Sequence, residues 1–198
     1  MSFLDLVKAN RSCRNYSGDF SVSMQTLSEL AECARFAPSA GNKQPLKMYL
    51  SCDKATNALI QPLTAWAALI RSTTHLPYPG NEPTAFIVIC VDTAICPEVR
   101  AADKDIGIAA QTILLAAAEK GLAGCMIGSF DKKIGDVLNI NKTLVPALVI
   151  ALGKSNEKTV LEDAEGSVAY YRDAEDVHHV PKRTMEEIII NNEPITDK

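Results

Sequence analysis

No two of the six cysteines, at positions 13, 33, 52, 90, 96 and 125, stand in a C-x-x-C spacing. With Cys90 and Cys125 set inside apolar runs, where a thiol behaves as a small hydrophobe, the lack of a paired framework points to reduced cysteines and a cytoplasmic protein. Neither G-x-x-x-x-G-K-[ST] nor G-x-G-x-x-G occurs, which disfavours a P-loop nucleotidase and a Rossmann dinucleotide domain. A basic stripe is missing too. Lys and Arg are intermixed with Asp and Glu, and the formal net charge is -4, so nucleic acid is not an expected partner. No run reaches the roughly 18 apolar residues that a membrane span needs, and the short apolar start carries Asp5 and lacks the basic-then-apolar pattern of an export signal. No membrane partner is expected, and no internal repeat, low-complexity tract or inter-domain linker is visible.

What is present is a chain of 198 residues, 47% of them hydrophobic, enough to bury a sizeable core. One globular domain over 1–198 is expected. Phe3, Leu6 and Val7 recur at i, i+3, i+4 and predict a short amphipathic helix ending near Asn10 in a left-handed stop. Thr26 and Glu29 read as a T-x-x-E capping box before Leu27, Leu30, Ala31 and Ala34, and Pro38 closes that helix. Leu46, Met48, Leu50 and Cys52 alternate with Lys47, Tyr49 and Ser51, the period of a half-buried strand. A helix over about 54–71 follows.

Segment 86–91, Phe-Ile-Val-Ile-Cys-Val, has no polar break and predicts a strand covered on both faces. Ile106, Ala109, Ala110, Ile113, Leu114 and Ala117 form one stripe of a helix over about 98–120, stopped at Gly121. Strands are expected at 122–127 and 145–152, with Pro146 at a strand start or on an edge, and a short helix capped by Asp131 between them. Alternating helices and strands place the chain in a layered α/β class. Residues 154–180 are charged and lack apolar periodicity, so they read as a tail without a core of its own. Yet Ile188, Ile189 and Ile190 run consecutively, and each is worth about 1.5 to 3 kcal/mol when buried. They are expected to pack on the body or on a second subunit.

Two segments could carry chemistry. Arg11, Ser12 and Arg14 supply guanidinium forks and a hydroxyl suited to a phosphate, and Lys182-Arg183 could add cations from the other end of the chain. Taken alone, both clusters also suit a solvated surface. Ala37-Pro38-Ser39-Ala40-Gly41-Asn42-Lys43-Gln44-Pro45 lets backbone approach a flat ligand while amide side chains read its polar edge. On composition alone it is equally an ordinary helix-to-strand connection. Cys13 between arginines would favour a thiolate, but nothing places a base beside it. His178-His179 lacks metal-ligand spacing, so no metal is expected and the pair reads as a solvated turn.

The order of these segments resembles the nitroreductase family of FMN enzymes. The family pattern of R-R-S-x-R, then A-P-S-x-x-N-x-Q-P after a helix, an alanine-rich helix ending in G-L and a G-x-F-like turn has counterparts in Arg11 to Arg14, Ala37 to Pro45, Lys120-Gly121-Leu122 and Ile127-Gly128-Ser129-Phe130-Asp131. Val180-Pro181-Lys182-Arg183 matches the tail. Position 10 is Asn where the pattern has its first arginine, and segment 53–85 is short where larger relatives place pocket-walling helices.

The resemblance implies a three-layer α-β-α sandwich with a central mixed, mainly antiparallel sheet, and residues 154–198 as a tail exchanged in a homodimer. By the same resemblance Arg11, Ser12 and Arg14 would hold the FMN phosphate and ribityl chain, with Lys182 and Arg183 adding charge. Pro38, Ser39, Ala40 and Asn42 would line the flavin ring, typically from the other subunit, while Gln44 braces the loop. Gly128 and Ser129 would face the N5 edge. No side chain is then needed as a catalytic nucleophile, because flavin N5 carries a hydride from NADH or NADPH to a nitroaromatic, quinone or other small electron-poor acceptor. The alternatives are another flavin reaction on the same scaffold (dehalogenation, flavin cleavage, heterocycle oxidation) and a non-catalytic flavin-binding dimer.

Overall fold

A strand with apolar side chains at both parities is stable only where both faces of its sheet are covered. The computed structural model describes residues 1–70 and 74–191, and there segment 85–92 is such a strand. In chain order the elements are α1 (Phe3–Ala9), α2 (Met24–Arg35), β1 (Leu46–Ser51), α3 (Lys54–Ile60), β2 (Ala85–Asp92), α4 (Asp103–Glu119), β3 (Ala123–Ile127), α5 (Ile134–Val137), β4 (Leu144–Gly153), β5 (Thr159–Asp163), β6 (Tyr171–Arg172), β7 (His178–Lys182) and α6 (Met185–Ile188). The chain divides into two compact units, Met1–Asn156 and a second beginning at Glu157.

The first unit is built on a four-stranded antiparallel sheet in the order β1-β2-β4-β3. Ile87, Ile89 and Val91 of β2 pack with Leu27 and Leu30 of α2 and with Ile106, Ala110, Ile113 and Ala117 of α4. Phe86, Val88 and Cys90 face the other way, toward Tyr16, Ile60, Trp66 and Ile134. Helices therefore lie on both faces, as the three-layer expectation requires. Burial in the second layer pushes the Cys90 thiol up to about 11, so it packs as a neutral small hydrophobe.

Local differences from the sequence reading have physical causes. Helix α2 starts earlier than the Thr26 box, because Ser23 is the N-cap, its Oγ accepting the Thr26 N–H at 3.0 Å. Glu29 is left to pair with Lys120 of the α4 C-cap at 2.6 Å. Asn10 ends α1 with φ -74 and ψ 92, extended rather than left-handed. Helix α3 stops at Ile60, where Gln61–Leu63 tighten into a 3-10 turn containing Pro62, and Thr64 turns extended to bridge Phe130. The far end of the expected 54–71 helix, Arg71, lies outside the described residues. Asp131 heads the turn into α5 instead of capping it directly, its Oδ1 accepting the Lys133 N–H at 2.9 Å. Pro146 sits in β4, an internal strand, and not on an edge. The register shifts there, Ile89 facing Leu148 and Cys90 facing Pro146, so a bulge absorbs the missing N–H.

The second unit, which includes most of the stretch read as a tail without a core of its own, forms a small sheet. Its sheet, in the order β5-β7-β6, pairs β5 with β7 in parallel and β6 with β7 antiparallel. Polar contacts hold it where apolar periodicity is lacking. Arg172, its side chain 5% exposed, pairs with Glu157, and with Asp176 at 3.0 Å. His178-His179 is strand and no solvated turn: His178 is 2% exposed. His179 stacks on Tyr171 at 4.7 Å and lies between two carboxylates, Nδ1 2.9 Å from Glu162 and Nε2 3.0 Å from Asp173.

Both His179 nitrogens can donate only in the imidazolium, so the bonds to Asp173 and then Glu162 raise its pKa above the ordinary 6.5. A raised folded value means that this stabilisation is complete below about pH 6.5 and is lost as pH climbs through the folded value. An NMR titration of the His179 ring is expected to give a midpoint above 6.5, brought down by Asp173→Asn. A wild-type midpoint at or below 6.5 refutes the assignment.

Among the described residues no helix is long and apolar enough to cross a membrane, and no group of three His, Cys, Asp or Glu is placed to hold a metal ion.

Candidate functional site

The segment after α1 runs outside β3. Ser12 forms a parallel bridge with Gly124, and the Cys13 N–H donates to the Gly124 carbonyl at 3.0 Å. Arg11 bends back so that Nη2 donates to the Val7 carbonyl at 2.9 Å, while its Nε is buried without a partner among the described residues. Burial lowers the Arg11 pKa from its ordinary value, yet guanidinium stays charged throughout the physiological range. Arg14 Nη1 lies 3.3 Å from the Ser12 carbonyl. Ser12 is exposed. Cys13, by contrast, is 3% exposed and its Sγ donates to the Asn15 carbonyl at 3.0 Å, a packed thiol rather than a presented nucleophile.

Gly128 and Ser129 leave the C-terminal end of the same edge strand and are exposed. Their loop is pinned by the Ala65 N–H on the Ser129 carbonyl at 2.9 Å and by the Thr64–Phe130 bridge. A Cβ at Gly128 would meet nothing within 4 Å, so a flat ligand can approach that backbone.

The loop from Pro38 to Gln44 lies elsewhere. It feeds β1, which is the opposite edge strand. Three strands (β2, β4 and β3) separate β1 from Ser12, roughly 19 Å of sheet at about 4.8 Å per spacing. The loop is unusual in its backbone: Gly41, Asn42 and Gln44 all have positive φ, at 59, 54 and 51°. Only glycine adopts that region without cost, so two non-glycine residues there mark stored strain. Internal bonds close it. Gln44 N–H donates to Ser39 Oγ at 3.0 Å, and Gln44 Nε2 donates to Asn42 Oδ1 at 3.1 Å. Pro38 and Ser39 wall two clefts, one of about 340 Å³ against α2 and β1, the other of about 670 Å³ against Arg100, Lys104 and Ile108.

Sequence reasoning missed Asp105. It is 5% exposed and accepts the Ala40 N–H, at 3.1 and 3.3 Å to its two oxygens. The available signal was its place one turn ahead of Ala109, a carboxylate on an apolar stripe. Lys182 and Arg183 belong to the second unit, where Lys182 ends β7 opposite Asp163 and Arg183 pairs with Glu187 at 3.2 Å.

Arg11, Ser12, Arg14, Gly128 and Ser129 are thus gathered at one sheet edge, and Pro38, Ser39, Ala40, Asn42 and Gln44 at the other. The first group fits a phosphate: two guanidinium groups, a hydroxyl and one buried donor still lacking an acceptor.

The sequence model of the Nitroreductase family matches residues 7–78 and 81–154. A Bacillus subtilis (strain 168) protein named "Putative NAD(P)H nitroreductase YodC" is 24% identical over 179 residues, covering 77% of this chain and 89% of that protein. Among solved structures, a nitroreductase family protein of Streptococcus pneumoniae TIGR4 superposes with a TM-score of 0.65 at 22% identity, covering 88% of this chain and 97% of the other. An Exiguobacterium sibiricum 255-15 protein, described as a "putative nitroreductase in complex with FMN", superposes with a TM-score of 0.64 at 21% identity, covering 79% and 90%. At these identities the superpositions establish the fold.

Proposed function

Because this chain belongs to the nitroreductase family, we propose that it is an FMN-dependent NAD(P)H oxidoreductase acting as a homodimer. The observation that carries this reading is the split of the site between opposite sheet edges. A flavin whose phosphate meets Arg11, Ser12 and Arg14 of one copy has Gly128 and Ser129 of that copy near its ring, and Pro38, Ser39, Ala40 and Asn42 reach the ring from a second copy.

Bound FMN would supply the redox chemistry, taking a hydride from NADH or NADPH and passing electrons to a nitroaromatic, quinone or similar acceptor. The chain's own part is to hold, orient and shield. Arg11 and Arg14 would hold the phosphate, the Gly128-Ser129 backbone would leave room for the ring edge, and the strained Ser39–Gln44 loop would form the opposite wall. Exposed apolar residues support the dimer: Phe3 is 71%, Ile108 41%, Ile188 57% and Ile190 102% exposed in the single chain. The stretch from Glu157 is read as packing on the partner, with Ile188 and Ile190 covered there.

Purified protein is expected to bind one FMN per chain, to lose the flavin colour anaerobically on adding NADH or NADPH, and to regain it with a quinone. Bound flavin that no nicotinamide donor bleaches makes the protein a non-catalytic binder, and a colourless monomer indifferent to added FMN removes the reading altogether.

A further inference from the structure

A carboxylate in the first turn of a helix is favoured by the helix dipole whether or not it is buried, and Asp103 meets that role from the exposed side of α4. Asp105 is 5% exposed, so its burial needs another reason. Charged groups are costly to bury unless hydrogen-bonded, and its two oxygens converge on one partner, the Ala40 N–H, at 3.1 and 3.3 Å.

That partner lies in the most strained backbone of the site. Residues with positive φ persist only where surrounding contacts over-determine them. The bonds from Gln44 to Ser39 and Asn42 close the loop on itself without attaching it to anything. Among the described residues, the Ala40–Asp105 contact is the hydrogen bond that ties residues 38–44 to the rest of the unit. Open space flanks the loop on both sides, since Pro38, Ser39 and Asp105 line both the 340 Å³ and the 670 Å³ cleft. Packing therefore does little to fix its position, and the anchor must.

Resting on the functional reading above, we propose that Asp105 is a positioning residue: its carboxylate pins the Ala40 backbone and so sets the pose in which Ser39, Ala40 and Asn42 meet the flavin ring. It touches neither flavin nor substrate. Its effect passes through one amide.

The test compares Asp105→Ala, Asp105→Asn and the wild type by three readouts: hydrogen exchange of the Ala40 amide in flavin-free protein, the FMN dissociation constant, and the rate of flavin bleaching by NADH or NADPH at saturating FMN. In Asp105→Ala the Ala40 amide is expected to exchange about tenfold faster or more, with FMN held about tenfold more weakly and bleached about tenfold more slowly. Asp105→Asn keeps an acceptor oxygen for the Ala40 N–H and is expected to recover all three to within about threefold. Unchanged exchange and FMN affinity in Asp105→Ala overturn the proposal. So does an Asn variant as impaired as the Ala one, since charge and not anchorage would then be at work. If wild-type protein takes up no FMN, the functional reading and the flavin-facing role of Asp105 fall together, while Ala40 exchange still reports whether the anchor exists.

Discussion

Gly124→Val is expected to yield little or no soluble protein, and Gly124→Ala to lower the melting temperature by on the order of 5 °C. An added Cβ would lie 2.5 Å from Leu114 Cδ2, 2.8 Å from the Ala151 carbonyl oxygen and 2.9 Å from Leu152 Cδ2. The leucine ends can rotate. The Ala151 carbonyl cannot, because it belongs to β4 and faces Cys125 across the sheet. Even one methyl must push β3 away from β4 or α4 away from the sheet, an overpacking cost of about 1–3 kcal/mol, and each kcal/mol is worth about 2–4 °C in a chain of this size. The damage is expected to spread to the site, since β3 also carries the bridge to Ser12 and the bond from the Cys13 N–H. FMN affinity should fall with stability. Gly135→Ala is the matched control: its Cβ would meet Pro146 Cγ at 3.4 Å, close to ordinary contact, and thermal melting should change little. Equal melting temperatures for Gly124→Ala and wild type would show that β3 is not wedged between α4 and β4 as described.

Such a clash depends on strand order, and strand order is what the sequence concealed. β2 and α4 were legible because each states its environment in a short window: an unbroken apolar run for a strand covered twice, a 3.6-residue stripe for a helix on a sheet. The family was legible from the order of the short motifs along the chain, and the segments proposed for the site are among those motifs. Their division between the two edges was not, because it follows from the pairing of β2 with β4, an arrangement made at long range. Of the two places expected for Pro146, a strand start or an edge, the edge fails for a similar reason. Its missing N–H argues for an edge, and only the bulge opposite Cys90 lets it stand inside the sheet. The β5-β7-β6 sheet escaped notice because Arg172, Glu157, His179 and Asp173 support it, and charged residues in sequence read as solvated surface. Asp105 was hidden by the same habit of reading.

Replacing Arg11 or Arg14 by Ala is expected to weaken FMN binding by about tenfold to a hundredfold each, with much smaller effects on riboflavin, which lacks the phosphate. Hydrogen bonds to charged groups contribute about 1.5–3 kcal/mol, and about 1.4 kcal/mol is a factor of ten in affinity. Arg11 is the stronger case. Its Nη2 is committed to the Val7 carbonyl, which fixes the direction of the fork, and its buried Nε still lacks an acceptor. Two oxygens of one phosphate suit such a planar donor set, whereas a lysine ammonium is a point charge without the fork. Arg11→Lys should therefore recover less than half of the lost binding energy although the charge is kept. The riboflavin comparison separates recognition from folding. A variant that loses FMN and riboflavin equally has lost the shape of the site, and one that loses only FMN has lost the phosphate contact. The double variant Arg11→Ala/Arg14→Ala is expected to lose most of the preference for FMN over riboflavin. Retained preference for FMN in that double variant would place the phosphate elsewhere on the molecule.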